Sequence, residues 1–213
     1  MKVVDSRFAP TFELEATELM LGGGPIAGID EAGRGPWAGP VVAAAVILDP
    51  ERIHVGIADS KALDADDREV VYTRIFATAL AVGVGIADTG RIDRDNILSA
   101  TVWAMAQAVA GLKLRPRLAL VDGNRCPRLA LPARPIVKGD AKCLSIAAAS
   151  IIAKVTRDRM MVELAECCPG YGFERHKGYG TPEHQDAIRR LGVTAHHRRS
   201  FKPVQLALGL VEA

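Results

Sequence analysis

Gly28-Ile29-Asp30-Glu31-Ala32-Gly33-Arg34-Gly35-Pro36 decides the fold. Two adjacent acids stand between an apolar run and a glycine-rich turn. The run Pro25-Ile26-Ala27-Gly28-Ile29 leads in, and Val41-Val42-Ala43-Ala44-Ala45-Val46-Ile47-Leu48 follows. Both apolar runs read as buried strands, and carboxylates are costly to bury unless something neutralises them. A strand alternates its faces, so Asp30 and Glu31 serve one site only if the chain turns at Glu31. Gly33, Gly35 and Gly39, with Pro36 and Pro40, supply the means for that turn. The same residues also read as a surface turn whose acids are simply solvated.

Outward from this segment, residues 1–24 form a peripheral N-terminal segment, weakly helical around 12–21, with Gly22-Gly23-Gly24 as a hinge. Residues 25–213 make one domain. The run from Ala79 to Asp88 reads as a third strand. Leu118-Ala119-Leu120-Val121-Asp122 is a fourth, ending in an acid, and Pro135-Ile136-Val137 a fifth, running into Lys138-Gly139-Asp140. Helices are expected over about 65–79, capped by Asp64 with Asp66 and Asp67 in its positive first turn, and over 96–112 and 143–167. Thr181-Pro182-Glu183 opens another. Strands first, then helices interleaved with strands, predict an α/β sheet of mixed order.

The chain's 213 residues, 49% of them apolar, suffice for one sizeable core. No apolar run reaches bilayer length, and the first five residues lack the apolar core of a signal peptide, so a cytoplasmic protein with no membrane contact is expected. Cys126, Cys143, Cys167 and Cys168 show no zinc spacing and read as reduced thiols. Net charge is +2, unevenly spread: Glu174–Lys202 carries seven Lys/Arg against three acids. That segment is therefore +4 and the remainder −2, which suits a polyanion whose reacting phosphate meets an acidic site; a solvated charged face gives the same count. His176, His184, His196 and His197 lack ligand spacing, so phosphate contact or simple exposure is expected of them.

Asp30 and Glu31 end the first strand on this map, Asp122 the fourth, and Asp140 lies just past the fifth. Ligands collect at strand ends in open α/β sheets. Four carboxylates gathered there repel one another unless cations sit between them. Oxygen ligands without Cys or His select Mg²⁺ or Mn²⁺, and two such ions suit in-line displacement at phosphorus. Asp140 also reads as a simple cap of the long helix that follows it.

The stretch from Gly28 to Val46 resembles the signature of type 2 ribonucleases H, in the bacterial ribonuclease HII form. Asp59-Ser60-Lys61, Val121-Asp122-Gly123-Asn124, Lys138-Gly139-Asp140, the helix from Ala147 to Asp158, His176-Lys177-Gly178-Tyr179-Gly180-Thr181 and His197-Arg198-Arg199-Ser200-Phe201 match further family blocks in order. The likeness spans about residues 25–205. It implies a ribonuclease H-like five-stranded mixed sheet flanked by helices, with a C-terminal helical extension. It also implies an endonuclease that hydrolyses the RNA strand of RNA/DNA hybrids and nicks 5′ to single ribonucleotides in duplex DNA. Asp30, Glu31, Asp122 and Asp140 would be the catalytic, metal-binding acids. Gly33, Arg34 and Gly35 would meet the ribonucleotide, whose 2′-hydroxyl distinguishes RNA from DNA. Tyr179 would contact the sugar at the RNA-to-DNA junction, and Ser60, Lys61 and the basic C-terminal side chains would hold phosphates. Asp158, five helical turns beyond Asp140, reads as a surface or salt-bridging residue. Trp37 departs from the smaller apolar residue expected at its position. The C-terminus lacks the paired aromatics of a sliding-clamp-binding tail, so no clamp binding is expected, and a monomer without an obligate protein partner follows.

Overall fold

The computed structural model describes residues 9–22, 24–53, 56–57, 60 and 63–212. Five strands form one sheet: β1 (Ile26–Ala32), β2 (Val41–Ile47), β3 (Ala81–Ala87), β4 (Leu118–Asp122) and β5 (Ala133–Ile136), in the order β3-β2-β1-β4-β5. The first three pair antiparallel; β4 joins β1, and β5 joins β4, in parallel. The mixed sheet expected from the sequence is present.

Helices cover both faces. Helix α2 (Ala65–Thr78) starts as expected, with Asp64 Oδ1 accepting from the Asp67 N–H at 2.9 Å. It packs with the long helix α5 (Leu144–Cys167) on one face, over Ala44, Val46, Ile151 and Ile152. Helix α4 (Ile97–Ala110) covers the other face over Ile29, Ala43, Ala45 and Val121. The sheet lets helices approach closely where side chains vanish. A Cβ on Gly28 would lie 2.1 Å from the Ser145 carbonyl carbon, and one on Gly85 2.0 Å from the Ala104 oxygen. The alanines of α4 and the Ala147-Ala148-Ala149 run of α5 serve the same contact from the helix side.

The expected 96–112 helix is α4, and a short helix that the sequence did not predict, α3 (Thr89–Asp95), precedes it, with Asn96 between them at φ 65°. Two caps explain the break: Asp88 Oδ1 accepts from the Arg91 N–H at 2.7 Å, and Asn96 Oδ1 from Ser99 N–H at 3.0 Å. Asn tolerates the left-handed conformation because its short side chain bonds locally.

Helix α1 (Glu13–Met20), in the N-terminal segment, is tied to the body, with Leu14 and Leu19 packed against Ile26, Leu120 and Ile146. Helix α5 has no side-chain cap of its own. Buried Glu15 supplies one from outside, its Oε1 accepting from the Ser145 N–H at 2.8 Å and from its hydroxyl at 2.6 Å. A carboxylate at a helix N-terminus meets unpaired N–H groups and the positive end of the dipole. After α5 come the short α6 (Phe173–His176), α7 (Pro182–Leu191) opened by Thr181 as expected, and α8 (Lys202–Ala207). Among the described residues no helix is long and apolar enough to cross a membrane.

Candidate active site

The site begins where β4 ends. The β1–β4 ladder stops at Ile29↔Val121, while β1 continues against β2 to Ala32↔Val42. The chain therefore does not make the turn at Glu31 that the sequence predicts for a shared site. Asp30 points to the α5 face with Gly28, and Glu31 to the α4 face with Ile29. Both nevertheless line one cavity of about 450 Å³, together with Asp122, Gly33, Arg34, Gly35, Ser60, Ser150, Lys154, Arg157 and Tyr179. The missing neighbour explains it. Beyond Val121 no described residue pairs with that edge of β1, so side chains from both faces reach round into the gap.

The acids are held under electrostatic pressure. Burial first, then the charges of Glu31 and Asp122, push the Asp30 carboxyl well above its ordinary range, against the pull of hydrogen bonds from the Glu31 N–H (2.7 Å) and Ser150. Glu31 is also raised by burial, partly offset by Arg34, whose Nη1 lies 3.2 Å from Glu31 Oε1. Asp122 Oδ1 accepts from the Gly139 N–H at 2.7 Å. Asp140, buried in the single turn Gly139–Ala141, follows directly but is not among the residues lining the cavity. Three of the four expected acids thus share the cavity. Among the described residues, no three His, Cys, Asp or Glu side chains stand close enough to form a finished metal cage. The donor set still fits a hard cation. Three carboxylates close together, Asp30 raised among them, are a chemistry that positive charge relieves.

Ser60 is buried and bonds the Ser150 hydroxyl at 2.8 Å, which places it behind Asp30 as well as on the cavity wall. Lys61 and Asp59 lie outside the described residues. Tyr179 is half exposed at the cavity mouth, its ring beside Gly35: a Cβ there would sit 3.5 Å from Tyr179 Cε1. Gly33, at φ 95°, is required outright. A Cβ would lie 2.0 Å from Arg157 Nε. Asp158 pairs with Lys154 at 2.8 Å, the salt-bridging role expected of it.

Two residues quoted only as parts of motifs prove central. Arg157 and Arg198 are almost wholly buried, and among the described residues neither has a carboxylate within ion-pairing distance. Arg198 donates to the carbonyls of Gly33 (2.5 Å), Arg34 (2.9 Å), Gly39 (3.0 Å) and Pro40 (3.1 Å). Arg157 donates to those of Ala38, Pro40 and Lys177. Burial, then the neighbouring Arg157, pushes the Arg198 guanidinium down to about 9. Together they bolt the Gly33–Pro40 loop to α5 and the C-terminal segment. A buried arginine satisfied by carbonyls leaves no mark in sequence beyond its presence.

The expectation for the histidines needs correction. His196 is exposed, but His176, His184 and His197 are buried. The aromatic wall of Tyr171 and Phe173 encloses them. Trp37 finds its room here too. It packs 5.7 Å from the His184 ring and against Gly180, where a Cβ would lie 2.1 Å from its Cζ2.

The sheet order, its flanking helices and an acid-lined cavity at the end of β4 define a protein of ribonuclease H-like fold. The ribonuclease HII family model matches residues 27–204. Ribonuclease HII of Azorhizobium caulinodans is 58% identical over 195 residues, covering 92% of this chain and 75% of the relative; that of Burkholderia thailandensis is 59% identical over 186 residues, 87% of each. The crystal structure of ribonuclease H2 from Pyrococcus horikoshii is similar with a TM-score of 0.74 at 26% identity, over 87% of this chain and 97% of that one. The chain belongs to the ribonuclease HII family, and its activity is that of a ribonuclease H acting on RNA/DNA hybrids.

Proposed function

We propose that this ribonuclease H also nicks duplex DNA 5′ to a single embedded ribonucleotide, leaving a 3′-hydroxyl and a 5′-phosphate, and that it does so as a monomer with Mg²⁺ or Mn²⁺. The observation that carries the reading is the shared cavity: three acids, the Gly33-Arg34-Gly35 loop and Tyr179 face one space. Asp30, Glu31 and Asp122, with Asp140 behind Gly139, would hold the ions. Bound there, divalent cations would acidify the attacking water and offset charge on the leaving 3′-oxygen. The chain's own residues do the rest. The loop glycines bring backbone against the ribose, where a 2′-hydroxyl finds polar partners and a bulky Cβ would block approach. The Tyr179 ring, set against Gly35, offers a flat face to the sugar on the 3′ side. Lys154 and Ser60 on the cavity wall add a charge and a hydroxyl for the backbone phosphate.

Duplexes carrying one ribonucleotide test the reading. Nicking should occur 5′ to the ribonucleotide, stop in EDTA, and be absent on all-DNA duplex. Cutting of all-DNA duplex at an equal rate, or activity undiminished in EDTA, contradicts it. Tyr179→Ala should reduce nicking at a single ribonucleotide about tenfold more than cutting of a long hybrid, the scale of one lost stacking contact at roughly 1–3 kcal/mol. Equal losses on the two substrates remove Tyr179 from junction recognition.

A further inference from the structure

The loop that carries Tyr179 rests on three buried histidines whose ring nitrogens are all engaged. His184 Nδ1 faces the Tyr179 carbonyl at 2.9 Å, so that nitrogen carries the proton. His197 Nδ1 takes the Thr194 N–H at 3.0 Å, so its proton lies on Nε2. The two Nε2 atoms are 3.0 Å apart. One proton fits between them, donated by His197 and accepted by His184. His176 Nδ1 accepts the Gly178 N–H at 3.1 Å, and its Nε2 donates to the Tyr171 carbonyl at 2.7 Å. The His176 carbonyl accepts the Tyr179 N–H at 2.9 Å. The His176 and His184 rings stack at 4.6 Å and 15°, with the Phe173 edge against both.

We propose that His184, fixed in its Nδ1–H tautomer by His197, is a positioning residue that sets the Tyr179 ring at the cavity mouth. It deepens the reading of Tyr179 as the junction-sensing residue, on which it rests. A wrong tautomer would turn a nitrogen lone pair toward the carbonyl, and the loop would lose its anchor on that side. A charged His184 would put two Nε2–H groups head to head, and a charged His197 would turn an Nδ1–H toward the Thr194 N–H. Burial works against such a charge: it lowers His184, and with His184 beside it pushes His197 down to about 4. The His184–His197 pair is therefore an uncharged strut at neutral pH. Tyr179 is half exposed with its ring beside Gly35, and the strut holds the backbone that carries it.

The test compares one embedded ribonucleotide with a long hybrid. His184→Phe keeps the ring volume and removes the bond to the Tyr179 carbonyl. Its kcat/KM on the single ribonucleotide should fall about tenfold more than on the hybrid, about 1.4 kcal/mol for one buried hydrogen bond. His184→Asn places an amide N–H near the Nδ1 position and should recover that discrimination to within about threefold of wild type, a difference of well under one such bond. Nitrogen-15 NMR of the unmodified protein should show His184 protonated at Nδ1 and His197 at Nε2. Equal losses on both substrates for His184→Phe, an Asn variant no better than Phe, or the opposite His184 tautomer overturns the proposal. If Tyr179→Ala also fails to discriminate, the junction reading itself falls. If Tyr179→Ala discriminates and His184→Phe does not, only the strut falls.

Discussion

Replacing Asp30 by Asn should lower the rate on RNA/DNA hybrid by about three orders of magnitude, roughly 4 kcal/mol of barrier, and raise the melting temperature of the metal-free protein. The two effects share a cause. Asp30 is buried beside Glu31 and Asp122, and burial is the larger influence raising its pKa. A carboxyl whose folded pKa lies above its unfolded value contributes stability fully present below the unfolded pKa and lost as pH rises through the folded one. Metal-free wild type should therefore lose stability as pH climbs from acid toward neutrality, and Asp30→Asn should lack that loss. Asn is isosteric and keeps an oxygen for the Glu31 N–H, so the fold has no new vacancy to absorb. The same substitution removes the negative charge that a cation at this site would use. Melting in EDTA from pH 5 to 8, with cleavage assayed in Mg²⁺, reads both. A variant that melts below wild type at pH 8 in EDTA would show that the charge is not strained. A variant cutting hybrid at more than about a tenth of the wild-type rate, a loss under 1.4 kcal/mol, would remove Asp30 from the reaction.

Much of this molecule is legible in the chain because the deciding interactions are local. Asp64 and Thr181 announce their helices with caps, and both cap in the structure. The apolar runs of β1, β2 and β4 are buried on two faces and so carry no competing period. The Gly28–Pro36 stretch pointed to an acidic site at the strand ends for the right chemical reason and a wrong geometric one. Alternation on a strand forbids Asp30 and Glu31 from sharing a face, but it does not forbid them from sharing a gap. That gap depends on where β4 stops pairing, which is a property of register between segments some ninety residues apart in sequence. Distance in sequence also hid Glu15, which caps a helix starting at Leu144, and the histidines, whose burial depends on Tyr171 and Phe173 folding over them. The short α3, opened by Asp88 and closed at Asn96, was not legible because seven residues rich in charge carry too little apolar period to announce a helix.

Arg198 poses the sharpest case of competing terms, and its replacement by Met should destabilise the fold by about 3 kcal/mol, or roughly 6–12 °C in melting temperature for a domain of this size. Removing a buried charge relieves a desolvation cost, and an apolar residue of similar volume is sometimes neutral or better. Here that relief is outweighed. The guanidinium satisfies four carbonyls at once, those of Gly33, Arg34, Gly39 and Pro40. They belong to a backbone that cannot turn away, since Arg157 fixes the Pro40 carbonyl as well, and at Gly33 there is no space for movement. Orphaned acceptors cost on the order of 1–3 kcal/mol each where water is excluded. Arg198→Lys should recover only part of the loss, because one ammonium on a flexible stem cannot span four acceptors that a planar fork holds. Both variants should lose activity on single ribonucleotides and long hybrids alike, since the loop they loosen meets the ribose in either substrate. Thermal melting of the three proteins in EDTA, away from any effect of bound cation, gives the order wild type above Lys above Met. A Met variant melting within about 2 °C of wild type, less than 1 kcal/mol for this size of domain, would show that the desolvation relief cancels the lost bonds, and the two buried arginines would then be passengers of the loop.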